Sequence, residues 1–483
     1  MTLVAGGLVY GYVRYRLDAI HTVAAKTLTP DTKASAHGLP PENILLIGNQ
    51  SRACLTTQAQ INQFGNPAQL SGSLSDVIMI AHLDPKTRSA SLLSIPRDLF
   101  EAMPPGTPSG PYEKIDSALN DGTNGPANLI AAIQNDLGIP VNHYVEVDFC
   151  GFEQTVNALG GIKMDFPEPL YDVGAQLHIG QVGCQEVNGA TALALVRSRH
   201  LQYDPPGDTA PPADWPSDPE SDLSRIVRDH EFLKTLIGAA QKEGLYDPIK
   251  LNSLLSAVTN QVTMDPGLRD QLISLAATYR HVGAANLPTA TLPVTTYTNY
   301  VYGGYHLGDV DFAVEPADDQ VIRSWDPGAL PAPVPPTSVE VFNAVGSGHL
   351  AADTGSALTA DGLTVTTESD TTVAGNPSET IVRYSPGQQA QGMAVMQDFA
   401  GAVTMQSDPK IPPGTVSVDV GTSETVIGPI SSGAAVPSPT GSNTTTSTSA
   451  PTAAAPPATV PTIGGAKPNG SSDQLTPYDP RPC

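Results

Sequence analysis

Charged side chains are scarce in this chain of 483 residues, where Asp, Glu, Lys and Arg together make up 15%. Basic residues are the rarer of the two signs, with 24 Lys and Arg against 48 Asp and Glu, and the formal net charge is -24. A chain this acidic repels a phosphate backbone, which argues against a global role in nucleic-acid binding. Any phosphate site must therefore be a local concentration of the few basic residues.

The signatures of several enzyme classes are also missing. The sequence has no Walker A motif, no GxSxG and no GxGxxG before a predicted helix, so nucleotide-binding and serine-hydrolase functions have no support. A function in phosphate chemistry must then rest on residues that lie apart in the sequence.

Cysteine is rare as well, and the four cysteines are Cys54, Cys150, Cys184 and Cys483. No two of them form a CxxC pair and no nearby histidine has zinc-ligand spacing, which argues against a zinc site. They are either buried free thiols or, if the domain lies outside the cytoplasm, partners in a structural disulfide. In the second case we expect Cys150 to pair with Cys184.

The N-terminus has an apolar run from Thr2 to Val13, followed by Arg14 and Arg16. This run has roughly 12 residues, whereas a bilayer span needs about 20. We interpret residues 1–17 as part of a single-pass membrane anchor that places the following domains outside the cytoplasm, because residues 18–42 have the composition of a spacer. The alternative is a short core helix or strand at the start of a soluble protein.

The length of the chain suits two folded domains with tails. In residues 43–325, predicted strands alternate with helices, which indicates an α/β or α+β domain with a central mixed sheet flanked by helices. A Pro-rich linker at 326–337 precedes a smaller α/β unit at 338–428. Residues 429–483 are mostly Ser, Thr, Pro, Ala and Gly, and we predict a disordered tail there because they lack apolar residues to pack.

Within the first domain, buried strands are predicted at 43–47, 76–83 and 89–95, the last two as a hairpin. A long amphipathic helix is predicted over 222–243. In the smaller unit, a helix is predicted over 387–400.

Several charged residues of the first domain fall at the ends of predicted strands and helices. Arginine grips phosphate oxygens through paired hydrogen bonds, and aspartate supplies hard oxygen ligands to Mg²⁺. Phosphoryl transfer requires mainly such positioning and charge neutralisation. Ordinary ion pairing explains any one of these residues alone, while the whole set indicates a site for a diphosphate with a divalent cation. The set is Asp76, Arg97, Asp98, Lys114, Arg197, Arg199, Asp222, Arg225 and Arg228.

The same segments resemble the LytR-CpsA-Psr domain, in the order of that family. They are SDVIMIAHLDPKTRSASLLSIPRDLF (75–100), KIDSALNDG (114–122), ALALVRSRH (192–200) and DLSRIVRDHEFL (222–233), with NILLIGNQSR (43–52) as the opening strand. Residues 339–427 resemble the small LytR C-terminal domain of actinobacteria.

The resemblance implies an enzyme of cell-wall assembly that moves a glycopolymer from a polyprenyl-diphosphate carrier to peptidoglycan. Arabinogalactan is the glycopolymer implied for mycolate-type actinobacteria, and a hydrophobic tunnel is implied for the lipid. The tunnel should be lined by apolar residues of 76–83, 89–95 and 222–243.

The resemblance also assigns roles to the charged residues. Asp76 matches an aspartate associated with Mg²⁺ or Mn²⁺, and Asp76, Arg97 and Asp98 are the predicted catalytic residues, with Asp98 or Asp76 helping to deprotonate the acceptor hydroxyl. The residues predicted to bind the diphosphate are Arg97, Lys114, Arg197, Arg199, Arg225 and Arg228.

Two positions depart from the family pattern. Gln50 stands where the GxDxR turn usually has Asp, and we predict that it joins Asp76 at the metal with weaker affinity, because an amide oxygen carries no charge. Asp229 stands where Gln commonly follows the arginine at Arg228. These departures keep two alternatives open: a non-catalytic protein that binds or scaffolds lipid-linked glycans, and a diphosphatase that uses water as the acceptor.

Overall fold

The computed structural model describes residues 2–30, 41–52, 58, 61, 74–426 and 475–483, apart from 109, 206, 208, 220, 245–247, 285–286, 303, 347, 371–378 and 423–424. The α-helices are α1 (Thr2–Leu17), α2 (Gly125–Asp136), α3 (Phe149–Ala158), α4 (Gly189–Arg197), α5 (Asp222–Ala239), α6 (Pro248–Gln261), α7 (Pro266–Tyr279), α8 (Ala317–Trp325), α9 (Leu350–Ala360) and α10 (Gln389–Met396).

The strands are β1 (His21–Thr22), β2 (Glu42–Asn49), β3 (Ser75–Asp84), β4 (Ser89–Ser94), β5 (Phe100–Ala102), β6 (Tyr112–Lys114), β7 (His143–Asp148), β8 (Ile162–Phe166), β9 (Leu170–Asp172), β10 (Leu177–Ile179), β11 (Gly183–Val187), β12 (Gln202–Tyr203), β13 (Val262–Met264), β14 (Thr289–Thr291), β15 (Val294–Tyr302), β16 (Tyr305–Glu315), β17 (Ser338–Asn343), β18 (Val365–Ser369), β19 (Thr380–Tyr384), β20 (Phe399–Ser407), β21 (Thr415–Val420), β22 (Thr425–Val426) and β23 (Arg481–Pro482).

A mixed sheet with the order β1-β13-β7-β2-β3-β4-β14 forms the centre of the first domain. The strands β3 and β4 pair antiparallel as the predicted hairpin, and β2 lies antiparallel to β3 but parallel to β7. Its central strands are apolar runs because helices cover both faces. This confirms the predicted α+β domain with a central mixed sheet.

The two faces of this sheet bury different residues. On one face Leu45 and Ile80, both fully buried, belong to a core that includes Leu129 and Ile133 of α2. On the other face Ile44 packs in a cluster with residues of α1, α6 and α7. The strand ends between these layers carry the charged residues of the site.

The N-terminal segment is packed against this domain, and the predicted single-pass anchor is wrong. In the part of the chain that the structure describes, no helix combines the length and the apolar character needed to cross a membrane. In α1, which has 16 residues, Arg14 pairs with Asp270 at 3.1 Å and Arg16 donates to Ser256 at 2.6 Å. The first residues of the predicted spacer are also part of the fold, because β1 (His21–Thr22) pairs with β13 at the sheet edge.

The smaller unit shares a second sheet with the first domain. This sheet has the order β15-β16-β20-β19-β21-β17-β18, and β16 of the first domain pairs antiparallel with β20 of the smaller unit. The predicted helix over 387–400 is too long, because α10 ends at Met396 and Phe399 already begins β20. Phe399 and Ala400 pair with Val426 and Thr425 of β22, and such distant partners are tertiary information that local propensity does not contain.

The last nine residues are folded onto the first domain, so the predicted disordered tail does not hold for 475–483. The strand β23 pairs with β8, and Cys483 forms a disulfide with Cys184 of β11. The expected pairing of Cys150 with Cys184 is therefore wrong. Cys150 is also disulfide-bonded, while Cys54 and residues 427–474 lie outside the described residues.

Candidate functional site

Several charged residues predicted to form the site lie together at one edge of the central sheet, where β3 begins and β4 ends. Met79 pairs with Ser94 in the β3–β4 hairpin, so the start of β3 and the end of β4 lie side by side. This pairing brings Asp76 and Arg97 together, and the Arg97 guanidinium donates to the Asp76 carboxylate. Two residues that are 21 apart in sequence thus form the first ion pair of the site.

Asp98 is the second anionic centre. Its carboxylate lies 2.9 Å from Lys114 Nζ, 2.9 Å from Arg199 Nη2 and 3.6 Å from Arg97 Nε. Burial raises the pKa of Asp98, but Arg97 and Lys114 outweigh it and hold the pKa below its ordinary value. Asp98 is therefore an ionised hub that holds three cations in place.

The helix α5 supplies Arg225 to the same edge. Arg225 Nη2 donates to the backbone carbonyl of Asp76 at 2.8 Å and pairs with Asp222 at 3.2 Å. Asp222 also forms an ion pair with Arg199, whose Nε lies 2.8 Å from its carboxylate, and this pair links α5 to the Asp98 hub. Arg225 is almost fully buried, and its hydrogen bond to the Asp76 carbonyl holds the start of β3 against α5.

Arg228 lies behind the site, although it was predicted to bind the diphosphate together with Arg225. Its side chain is fully buried and pairs with Asp218 at 2.7 Å and with Asp479 at 3.3 Å. Arg228 Nη2 also donates to the backbone carbonyl of Ser198 at 2.9 Å. Residues three apart on a helix share one face, but here they contact different surroundings.

Two further arginines lie at an aromatic ring beside Asp76. The guanidinium carbon of Arg197 is 4.6 Å from the centre of the Phe149 ring, and that of Arg52 is 5.7 Å from it. Burial lowers the pKa of Arg197, and Asp76 partly offsets the shift. Arg52 and Phe149 were not among the predicted site residues, although Arg52 ends the GxDxR-like turn that was recognised in the sequence.

An apolar cavity of about 260 Å³ opens beneath these cations. Asp76, Arg197 and Asp229 lie among its lining residues, while most of its wall is apolar and comes from β2, β3, β7, α3, α4 and α5. Leu46 and Leu233 also line a second cavity of about 330 Å³. The two cavities therefore adjoin and give a long apolar space that begins at the arginines.

Part of the apolar wall of this space comes from the segments predicted to line a tunnel, and the rest from β2, β7, α3, α4 and the chain after α6. The residues of the predicted segments are Val77, Met79, Ala81 and Leu83 of β3, Ala90 and Leu92 of β4, and Phe232, Leu233, Leu236 and Ile237 of α5. The alternating apolar pattern of these segments therefore positions the cavity wall as well as the core.

Asp229 is an unusual group in this wall. It is fully buried, and burial raises its pKa to about 8 although Arg225 and Arg228 oppose the shift. A neutral carboxyl can donate a hydrogen bond as an amide can. Near neutral pH, Asp229 is therefore largely uncharged and can both donate and accept hydrogen bonds, as the Gln expected at this position would.

Asp116 is a second carboxyl that sequence reasoning missed. It is buried behind the ion pairs, and burial raises its pKa to about 7 against the effect of Arg97. It lies in the KIDSALNDG segment (114–122) that was recognised for Lys114. The motif was therefore a signal for Asp116 as well.

Side-chain oxygen donors for a divalent cation are few at this edge. Among the residues that the structure describes, no three Asp, Glu, His or Cys converge as a metal site. Mg²⁺ at phosphate sites commonly uses one or two carboxylates and takes its other ligands from substrate and water. Asp76 thus fits such an ion only together with a phosphate group. For Gln50 the structure gives backbone contacts, an N–H donated to Leu74 and a carbonyl that accepts from Arg52.

Comparison with known proteins gives two family matches. Residues 12–311 match the LytR_cpsA_psr family, and residues 337–423 match the family described as LytR cell envelope-related transcriptional attenuator.

Curated relatives match part of the chain. The probable cell wall biosynthesis protein LcpB of Corynebacterium glutamicum is 31% identical over 269 residues, which cover 55% of this chain and 58% of LcpB. The polyisoprenyl-teichoic acid–peptidoglycan teichoic acid transferase TagV of Bacillus subtilis is 36% identical over 233 residues, 46% of this chain and 54% of TagV. The chain thus spans between half and three fifths of the length of these relatives.

A solved LytR-Csp2A-Psr enzyme from Actinomyces oris is 22% identical, covers 63% of this chain and 96% of its own, and has a TM-score of 0.44. The structure of TagV from B. subtilis is 21% identical, with a TM-score of 0.44, and covers 60% of this chain and 96% of its own.

Proposed function

This chain belongs to the LytR-CpsA-Psr family, and we propose that it transfers a glycopolymer from a polyprenyl-diphosphate carrier to peptidoglycan. The observation that carries the proposal is the long apolar space that begins at a group of arginines. A polyprenyl diphosphate has the same two parts, a long apolar chain and a compact anionic head. The name of TagV, a polyisoprenyl-teichoic acid–peptidoglycan transferase, supports the same chemistry.

The arginines at the cavity mouth hold the diphosphate in this proposal. Arg197 lines the cavity, and both Arg197 and Arg52 lie at the Phe149 ring, so both would contact an anion bound at the cavity mouth. Arg97, Arg199 and Lys114 form the outer group around Asp98. Guanidinium groups bind phosphate oxygens in pairs, and their partial burial strengthens that interaction.

The transfer breaks one phosphorus–oxygen bond and forms another. The acceptor hydroxyl of peptidoglycan attacks the phosphorus that carries the glycan, the polyprenyl phosphate leaves, and the new link is a phosphodiester. The hydroxyl proton must go to a base at the site. The two carboxylates predicted for that role, Asp98 and Asp76, both lie against Arg97, so either would accept the proton at an oxygen that already faces a cation.

A divalent cation, Mg²⁺ or Mn²⁺, is part of the proposal. Asp76 would hold it together with phosphate oxygens, and Gln50 would contribute an amide oxygen. When bound, the ion would neutralise charge that develops on the phosphate oxygens. Because Asp76 is the one carboxylate assigned to it, we expect the cation to bind far better after the diphosphate than before it.

Arabinogalactan is the glycopolymer that we propose to test first, on the basis of the family resemblance stated above. A teichoic acid carrier is the comparison substrate, since relatives are named for that polymer. Transfer of one polymer and not the other identifies the substrate class without altering the assignment of the diphosphate site.

The test is Mg²⁺-dependent turnover of a polyprenyl-diphosphate-linked glycan by the full chain, compared with Arg97→Ala. Removal of one preorganised cation should lower turnover by about 10²–10³-fold. The matched control is Arg269→Ala, which removes an arginine of α7 whose partner is the neighbouring Asp270, and it should leave turnover unchanged.

Three results would change the proposal. Tight binding of the carrier without turnover supports the glycan-binding alternative, and a large gain from Gln50→Asp in the same assay shows a metal site impaired by Gln50. Release of the glycan phosphate without transfer supports a diphosphatase. Equal turnover by the wild type and Arg97→Ala overturns the assigned site.

A further inference from the structure

The segment 475–483 is held on the first domain by several different contacts. Cys483 is joined to Cys184 by a disulfide, and β23 pairs with β8. The ring of Tyr478 stacks on that of Tyr203, with centroids 3.9 Å apart and planes 6° from parallel. Covalent, backbone and aromatic contacts together fix this segment at one place.

Asp479 is the residue that this segment inserts into the interior. It is almost fully buried, and its Oδ2 accepts from the Thr476 backbone N–H and hydroxyl, both at 2.7 Å. Its Oδ1 faces Arg228 Nη1 at 3.3 Å. The turn of the segment therefore orients the carboxylate before it meets Arg228.

Arg228 connects this carboxylate to the site. Its Nη1 contacts Asp218 and Asp479, while its Nη2 donates to the Ser198 carbonyl at 2.9 Å. Ser198 lies between the two site arginines Arg197 and Arg199. A shift of the Arg228 guanidinium must therefore move the backbone that carries both of them.

We propose that residues 475–483 form a C-terminal latch and that Asp479 is a positioning residue for the diphosphate site. Asp479 acts through Arg228 and Ser198 and sets where Arg197 and Arg199 meet the diphosphate. The proposal rests on the proposed function, because the ligand of that site is the diphosphate head of a lipid. It also explains why a buried arginine of the recognised motif points away from the cavity.

The direct test uses farnesyl diphosphate and farnesol as probes of the full chain by calorimetry. Both carry the same apolar chain, but only the first presents a diphosphate. Asp479→Asn keeps the shape of the side chain and removes its charge, while Arg228 retains Asp218. We expect the affinity for farnesyl diphosphate to fall about tenfold and the affinity for farnesol to stay the same.

The matched control is Asp353→Asn, which changes an exposed aspartate of α9 and should alter neither affinity. Parallel loss of both affinities in Asp479→Asn would show a general structural defect and overturn the positioning role. Unchanged affinities would show that the latch is not coupled to the site. A wild type that binds farnesyl diphosphate no better than farnesol would instead refute the proposed function.

A second variant keeps Asp479 and removes the covalent attachment. Cys184→Ser combined with Cys483→Ser should weaken farnesyl diphosphate binding in the same selective way but by a smaller factor, because β23 and Tyr478 still hold the segment. Serine variants are preferable to a reductant, since Cys150 is also disulfide-bonded. Undiminished diphosphate affinity in this variant together with Asp479→Asn would overturn the latch.

Discussion

Two groups of buried carboxylates in this protein have opposite surroundings. At the site, Asp98 lies among Arg97, Lys114 and Arg199, and its pKa is held below its ordinary value. At the junction between the two units, Glu101 faces Asp136, and burial raises the pKa of Glu101 to about 7. Both groups are nearly inaccessible to solvent, so the difference lies in their neighbours.

The junction repeats this arrangement with a second pair. Glu315, the last residue of β16, faces Asp318 of α8, and burial raises the pKa of Asp318 to about 7. Arg323 pairs with Asp319 next to them, at 3.4 Å. At the junction, carboxyls that face carboxyls keep protons near neutral pH, whereas Asp98, with three cations around it, is ionised. Burial alone thus does not indicate the charge of a group.

Arg228→Ala should have the largest effect. It removes the cation from a buried carboxylate behind the site, so that this carboxylate lacks a cationic partner, as the carboxyls of the junction do. The variant leaves Asp218, which is fully buried, without the cation at 2.7 Å. Breaking a buried pair on one side costs about 3–5 kcal/mol of unfolding free energy. Chemical denaturation at pH 7 measures this loss.

The control for Arg228→Ala is Arg269→Ala at the surface, which should change stability by less than about 0.5 kcal/mol. A loss below about 1 kcal/mol in Arg228→Ala would show that Asp218 finds another partner and that the ion pairs behind the site are not required.

Asp98→Asn should give a smaller loss, about 2 kcal/mol at pH 7. The pKa of Asp98 is lowered in the folded chain, so its contribution is present above the ordinary pKa near 4 and is lost as the pH falls through the folded value. The difference in stability between wild type and variant should therefore narrow as the pH falls below about 4. A difference that stays constant over the whole acidic range would attribute the loss to packing.

Asp318→Asn should have the opposite sign and the smallest size. Because its pKa is raised to about 7, the stability associated with Asp318 is full below pH 4 and declines as the pH rises to about 7. The amide avoids that decline, so the variant should be more stable by about 1 kcal/mol at pH 8. The thermal midpoints of variant and wild type, measured from pH 5 to pH 8, should separate with rising pH. Separation in the other direction would show that the carboxylate has a cationic partner.

The parts of this structure that sequence predicted are those set by local pattern. The β3–β4 hairpin follows from two apolar runs around a turn, and its geometry alone brings Asp76 to Arg97. The motif that contains Lys114 placed it among the predicted site residues, and in the structure Lys114 Nζ lies 2.9 Å from the Asp98 carboxylate. These contacts depend on short segments whose composition determines their form.

The parts that sequence missed depend on contacts between distant segments. Arg228 meets Asp479 across 251 positions of the chain, and no periodicity reports such a partner. The first apolar segment has the composition of an anchor, but Leu17 and Ile20 are buried against the first domain. The predicted helix ran two residues into β20, because the partners of Phe399 and Ala400 lie in β22, more than 20 residues further along the chain.

The pairing of β16 with β20 means that the boundary between the two family matches is not a place where the protein can be divided. A chain cut within the Pro-rich linker would leave Val314 and Glu315, at the end of β16, without their partners Ala402 and Gly401. It would also expose the carboxyls of the junction and the apolar side chains around them. We therefore expect a chimera of two relatives to fold best when both partners of that seam come from the same parent.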